Sequence, residues 1–176
     1  MNSIKPIETL YKGCRFRSRL EARWAVAFDS MKIKWEYEPE GFVLEDGTCY
    51  LPDFRIHVRH RSWTDEHEPI YVEVKGELTD DDLHKAELFS KEYLLLMLGN
   101  IPENWDEYYD QYCSRSYIGF NNFFYIDGDW YPCAFSKHNG EMWLCGPDHD
   151  QWDLGEALNI ALIKARSARF EHGEEG

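Results

Sequence analysis

A chain of 176 residues and 20.9 kDa is long enough for one compact domain, and 43% apolar with 16% aromatic residues is too much to leave exposed in a disordered chain. With 19 Lys and Arg against 33 Asp and Glu, the net charge is −14, which argues against a general nucleic-acid coat or a membrane-surface protein. Five scattered cysteines with no C-x-x-C pair argue against a disulfide framework, and the longest strongly apolar run, Tyr93 to Leu98, is far too short to span a bilayer. These features predict a soluble, cytoplasmic protein with no membrane partner.

The acidity is unevenly spread. Residues 1–62 hold 11 basic and 9 acidic side chains, whereas residues 63–176 hold 8 and 24. Within the first part, Lys12, Arg15, Arg17, Arg19 and Arg23 are interleaved with Tyr11, Phe16 and Trp24, so a local basic face is expected on an acidic protein.

In chain order, Ser18-Arg-Leu-Glu21 has the form of a capping box, and Leu20, Trp24, Ala27, Phe28 and Met31 follow at helical spacing, predicting a helix over 18–32. Short strands are expected at 33–38 and 41–44. A turn at Glu45-Asp46-Gly47 leads into a longer strand over 48–58, where Asp53, Arg55 and His57 alternate with Phe54, Ile56 and Val58. A charged loop over 59–68 precedes a strand over 69–75, in which Tyr71, Glu73 and Lys75 share one face. A helix over 80–92 and a buried strand over 93–98 complete an α-β-β-β-α-β order. Beyond it, short aromatic strands are expected at 117–120, 122–126, 130–135 and 142–145, and Asp153 caps a final amphipathic helix running from Leu154 to about Phe170. The chain therefore divides into a core over 1–100, a β-rich extension or subdomain over 101–150, and a C-terminal helix over 151–176 that packs on the core and ends in a short polar tail.

Chemistry concentrates on two of these strands. If they are antiparallel neighbours, Asp53 comes alongside Glu73 with Lys75 nearby, and adjacent carboxylates repel unless a cation sits between them. A hard divalent ion with oxygen ligands, Mg²⁺ first among candidates, resolves that conflict.

Glu21 on the first helix, Pro52-Asp53, and Glu73-Val74-Lys75-Gly76 resemble the PD-(D/E)XK nuclease superfamily, and their order and spacing are similar to Holliday junction resolvase-like cores. Phe16–Trp24, Tyr50–Phe54, Val72–Gly76 and Ala165–Gly173 are also similar to uncharacterised phage and prophage members of that superfamily. The nuclease resemblance covers roughly residues 11–99. It implies a restriction-endonuclease-like α/β core with a central mixed sheet flanked by helices, and metal-dependent endonuclease hydrolysis of DNA phosphodiester bonds. Asp53, Glu73 and the Val74 carbonyl would hold Mg²⁺, with Mn²⁺ substituting. Lys75 would orient or help deprotonate the attacking water. Glu21 would reach the metal directly, through water, or through a second ion. Arg15, Arg17, Arg19 and Lys85 are the candidate phosphate contacts. Implied partners are DNA, a second copy of the chain if both strands are cut, and host or phage DNA-processing proteins inside a bacterial cell.

Each motif also has a plain structural reading. Glu21 completes a capping box, E-x-K is an ordinary strand ion pair, and P-D is a common turn dipeptide. The rival functional reading is a catalytically inactive nuclease fold, or an acidic inhibitor of a host DNA-binding enzyme. A structural Zn²⁺ at Cys133, His138, Cys145 and His149, with or without Cys113, has poor ligand spacing and is disfavoured. Trp105, Tyr108, Tyr109 and Tyr112 sit among acidic residues, which fits a core or interface better than a base-stacking platform.

Overall fold

The computed structural model describes residues 7–60, 68–103, 123–126, 129–132, 134–138, 140–145 and 156–170. The chain opens with a hairpin, β1 (Thr9–Tyr11) and β2 (Cys14–Phe16), that the sequence reading did not foresee. Its turn residues Lys12 and Gly13 have φ of 46° and 76°, the left-handed pair that a two-residue hairpin requires and glycine supplies without strain. Helix α1 (Arg19–Ser30) follows, with Ser18 as its N-cap as expected. Trp24 and Phe28 are fully buried, and the Trp24 indole N–H donates to the Gly99 carbonyl at 2.8 Å, so its one polar atom is satisfied inside the core.

The remaining elements are β3 (Lys34–Tyr37), β4 (Phe42–Val43), β5 (Cys49–Tyr50), β6 (Phe54–His57), β7 (Arg59–His60), β8 (Ile70–Val74), α2 (Asp80–Ser90), β9 (Leu95–Leu98), β10 (Phe123–Ile126), β11 (Asp129–Pro132), β12 (Ala134–His138), β13 (Glu141–Cys145) and α3 (Glu156–Ser167). The main sheet is mixed and six-stranded, in the order β11-β10-β9-β8-β6-β3. Strand β8 pairs antiparallel with β6 and parallel with β9, with α2 as the intervening crossover. The expected α-β-β-β-α-β order is present as α1-β3-β6-β8-α2-β9 in a mixed α/β fold.

Alternation along β8 and β9 separates two apolar layers. Ile70, Val72, Val74, Leu94, Leu96 and Leu98 pack with the buried faces of α1 and α3. Tyr71, Leu95 and Met97 pack with Ala86 and Phe89 of α2 and with Leu44 and Tyr50 around the β4–β5 hairpin. All five residues of β8 are buried, since both sheet faces are covered.

Three local expectations need correction. The strand expected over 48–58 is two strands in different sheets, interrupted at Leu51-Pro52-Asp53, where proline cannot donate to a ladder. The expected loop at 59–68 begins with β7, which pairs in parallel with β13 in the register Arg59↔Trp143 and His60↔Leu144. The strand expected over 130–135 is also two: β11 extends the main sheet, while β12 joins β13 and β7 in a three-stranded sheet. Thus β10 and β11 continue the core sheet outward from β9. The expected strand at 117–120 and the Asp153 cap lie outside the described residues, as do Trp105, Tyr108, Tyr109 and Tyr112. Among the described residues, no helix is long and apolar enough to cross a membrane.

Candidate functional site

The site forms where the β6–β8 ladder ends. Phe54 pairs with Val72, so the same register places Asp53 opposite Glu73 and Pro52 opposite Val74. The N–H groups of Tyr71 and Lys75 donate to Leu94 and Leu98 on the β9 side, so by alternation those of Val72 and Val74 point toward β6. Pro52 has no N–H to offer the Val74 carbonyl, and the Val74 N–H instead donates to Asp53 Oδ2 at 2.7 Å. The sequence P-D therefore ends the ladder and substitutes a carboxylate for its last acceptor.

Asp53 and Glu73 are 2% and 6% exposed. Arg17 Nη2 donates to Asp53 Oδ1 at 2.7 Å, while Arg17 Nε contacts Glu38 at 2.8 Å. On the other carboxylate, Lys75 Nζ contacts Glu73 Oε1 at 2.8 Å and the Tyr50 hydroxyl donates to Oε2 at 3.0 Å. Lys75 also reaches Asp82 at 3.1 Å, in the first turn of α2. Burial pushes the Asp53 carboxyl well above its ordinary value; Glu73 and then Glu21 push it further, and the Val74 N–H and Arg17 only partly offset this. Glu73 is also raised by burial, against the pull of Lys75, Tyr50 and Arg17. Burial works against the Lys75 ammonium, but Glu73 and Asp82 outweigh it and hold its pKa above the usual lysine value. Tyr50, raised by its burial and by Glu73, is a neutral donor.

Glu21 sits beside this pair with its oxygens engaged. Oε1 accepts from the Ser18 hydroxyl at 2.7 Å, and Oε2 accepts from the Tyr37 hydroxyl at 2.6 Å and the Arg17 N–H at 3.1 Å. Its capping role is thus observed in a shifted form, reaching the N–H one residue before the cap, and its charge still bears on Asp53.

The four candidate phosphate contacts separate. Arg17 lies in the site, bridging Asp53 and Glu38. Arg15 is exposed and paired with Glu8, and Lys85 is paired with Asp81 one turn back on α2, whose first turn is acidic. Arg19 lines a separate cavity with three other arginines. Tyr50, Tyr37, Asp82 and Glu38 belong to the site but were not singled out from sequence. The only signals were the closeness of Tyr50 to Asp53 and the T-x-x-D cap that contains Asp82.

The donor set suits a hard divalent ion: two buried carboxylates side by side, both with raised pKa, and a carbonyl released from its ladder by proline. Among the described residues, no group of three or more His, Cys, Asp or Glu side chains is placed to hold a metal. Mg²⁺ needs only one or two carboxylates, with waters completing its shell. Of the disfavoured zinc ligands, Cys113, Cys133 and His149 lie outside the described residues, and His138 and Cys145 fall on β12 and β13. Comparison with family models, curated proteins and solved structures returned no match for this chain.

Proposed function

We propose that the protein is a metal-dependent DNA endonuclease of the PD-(D/E)XK kind, hydrolysing phosphodiester bonds at Asp53, Glu73 and Lys75. The observation that carries this reading is the pairing of two buried, pKa-raised carboxylates at a proline-terminated ladder, with an ammonium in contact with one of them.

Asp53, Glu73 and the Val74 carbonyl would hold Mg²⁺, or Mn²⁺ in its place. Such an ion supplies Lewis-acid polarisation and a bound water of lowered pKa. The protein's own groups do the rest. Lys75 stays protonated at neutral pH because Glu73 and Asp82 stabilise its charge. It therefore orients water and stabilises developing negative charge rather than acting as a free base. Tyr50 fixes the free oxygen of Glu73, and Arg17 fixes that of Asp53, so both carboxylates are held before substrate arrives. Glu21 caps the start of α1, accepts from the N–H of Arg17 just before the cap, and keeps the Asp53 carboxyl raised.

The test is cleavage of linear, supercoiled and four-way DNA with Mg²⁺, Mn²⁺ or chelator. Metal-dependent cutting that disappears in Asp53→Ala and Lys75→Ala supports the assignment; cutting that survives either substitution removes it.

One observation favours a second reading. Arg17 and Lys75 already contact one oxygen each of the acidic pair, so each carboxylate has a cation beside it without a metal. A non-catalytic interaction protein built on the same fold would look like this. No cleavage, together with no change in melting temperature at millimolar Mg²⁺ or Mn²⁺, would select it.

A further inference from the structure

Lys75 is the first residue past β8, and its backbone N–H still donates to the Leu98 carbonyl at 2.9 Å, so the sheet fixes the main chain there. The sheet does not fix the side chain, a compact charge on a flexible four-carbon stem. One contact to Glu73 would let the ammonium swing about that oxygen, and a second removes the swing. Nζ lies 2.8 Å from Glu73 Oε1 and 3.1 Å from Asp82 Oδ1, so the ammonium is held between the end of β8 and the first turn of α2.

Asp82 is itself held. Its Oδ2 accepts from the Thr79 N–H at 3.0 Å and from the Thr79 hydroxyl at 2.6 Å, and its own N–H donates to that hydroxyl at 3.2 Å. Both cap contacts to the carboxylate thus fall on one oxygen, and the other is the one that meets Lys75.

Capping and the helix dipole do not explain this arrangement. Any acid in the first turn would serve the dipole, and three follow Thr79. Asp80 is exposed, and the Asp81 side chain is 69% exposed and pairs with Lys85, whereas the Asp82 side chain is 17% exposed and turned to Lys75. Neutralisation does not explain it either. Lys75 already opposes Glu73, and a further carboxylate beside Asp53 and Glu73 adds like charge. What Asp82 adds is direction, because an ammonium between two anchored oxygens has one place to sit.

We propose, resting on the nuclease reading above, that Asp82 is a positioning residue that holds the Lys75 ammonium against Glu73, where it orients water and meets developing negative charge. Three substitutions test this. Asp82→Asn keeps an oxygen for the Thr79 cap and removes the charge. Asp82→Glu keeps the charge on a residue usual at that capping position and guards against misfolding, with melting curves as the check. Asp80→Asn removes an equal charge from the same turn at an exposed position. NMR of isotope-labelled lysine, without metal or DNA, reads the contact itself, since a hydrogen-bonded ammonium protected from exchange gives a signal; that of Lys75 is assigned by its loss in Lys75→Met. Asp82→Asn should lose this signal. Its single-turnover cleavage at saturating Mg²⁺ should fall about tenfold or more, while the Mg²⁺ concentration giving half that rate stays within about threefold. Asp82→Glu and Asp80→Asn should keep the signal and cut within about threefold of the wild type. A signal absent from the wild type or intact in Asp82→Asn overturns the proposal, as does full cleavage after the signal is lost or an equal loss of cleavage in Asp80→Asn. A wild type that cuts no DNA with any metal overturns the nuclease reading and the positioning role with it, whatever the signal does.

Discussion

The acidic pair and the arginine cavity are both concentrations of like charge, but the molecule treats them differently. Asp53 and Glu73 are opposed from within, by Arg17 and Lys75. The arginines of the cavity have no described carboxylate among their lining residues. In the first region the fold supplies the opposing cations, while burial, and for Asp53 also the neighbouring carboxylates, keeps the carboxyl pKa values raised. The second gathers basic side chains from two helices that are distant in sequence.

The largest expected effect concerns the acidic pair. Asp53→Ala or Lys75→Ala should lower metal-dependent cleavage by about 10²-fold or more, measured in single-turnover assays. Next, a divalent ion at 100 times its dissociation constant should stabilise the fold by about 2.7 kcal/mol, raising the melting temperature by about 5–10 °C in the wild type and not in Asp53→Ala.

A smaller effect has an unusual sign. Because the folded-state pKa values of Asp53 and Glu73 are raised, the unfolded chain ionises first as pH rises. Their contribution to stability is present below the ordinary carboxylate range and is lost as pH climbs through the raised values. In chelator at neutral pH, Asp53→Asn/Glu73→Gln should therefore melt above the wild type, by about 2–8 °C for a gain of about 1–2 kcal/mol, and the gap should close on acidification toward pH 4. A wild type that melts higher throughout would mean the cations fully compensate the pair. Smallest is Ser18→Ala, which removes the α1 cap and one partner of Glu21, at about 1 kcal/mol by thermal or urea denaturation.

Helical periodicity and capping chemistry were readable because they are local. Ser18 and Glu21 announce α1, and Thr79 with Asp82 closes a capping box on α2. The juxtaposition of Asp53 and Glu73 was also readable, since two alternating strands joined by one connection have few ways to pair. What escaped depends on partners distant in sequence. Nothing near Arg59 indicates that β7 will pair with β13, and nothing near Tyr50 says that its hydroxyl will reach Glu73. The arginine cavity escaped for the same reason: Arg19 and Arg23 read as part of a basic run, Arg166 and Arg169 as a helix end, and only the packing of α1 on α3 brings them to one cavity.

The parallel pairing of β7 with β13 has a consequence for how the chain comes to be folded. Arg59 must wait for Trp143, and the buried strand β9 must wait for β10, before either has its native neighbours. During synthesis from the N-terminus, Leu95–Leu98 emerges as an apolar strand with one unpaired edge, the kind of segment that recruits other chains. Slow, chaperone-sensitive refolding is the expected kinetic signature, and a fragment ending near residue 100 should aggregate where the full chain does not.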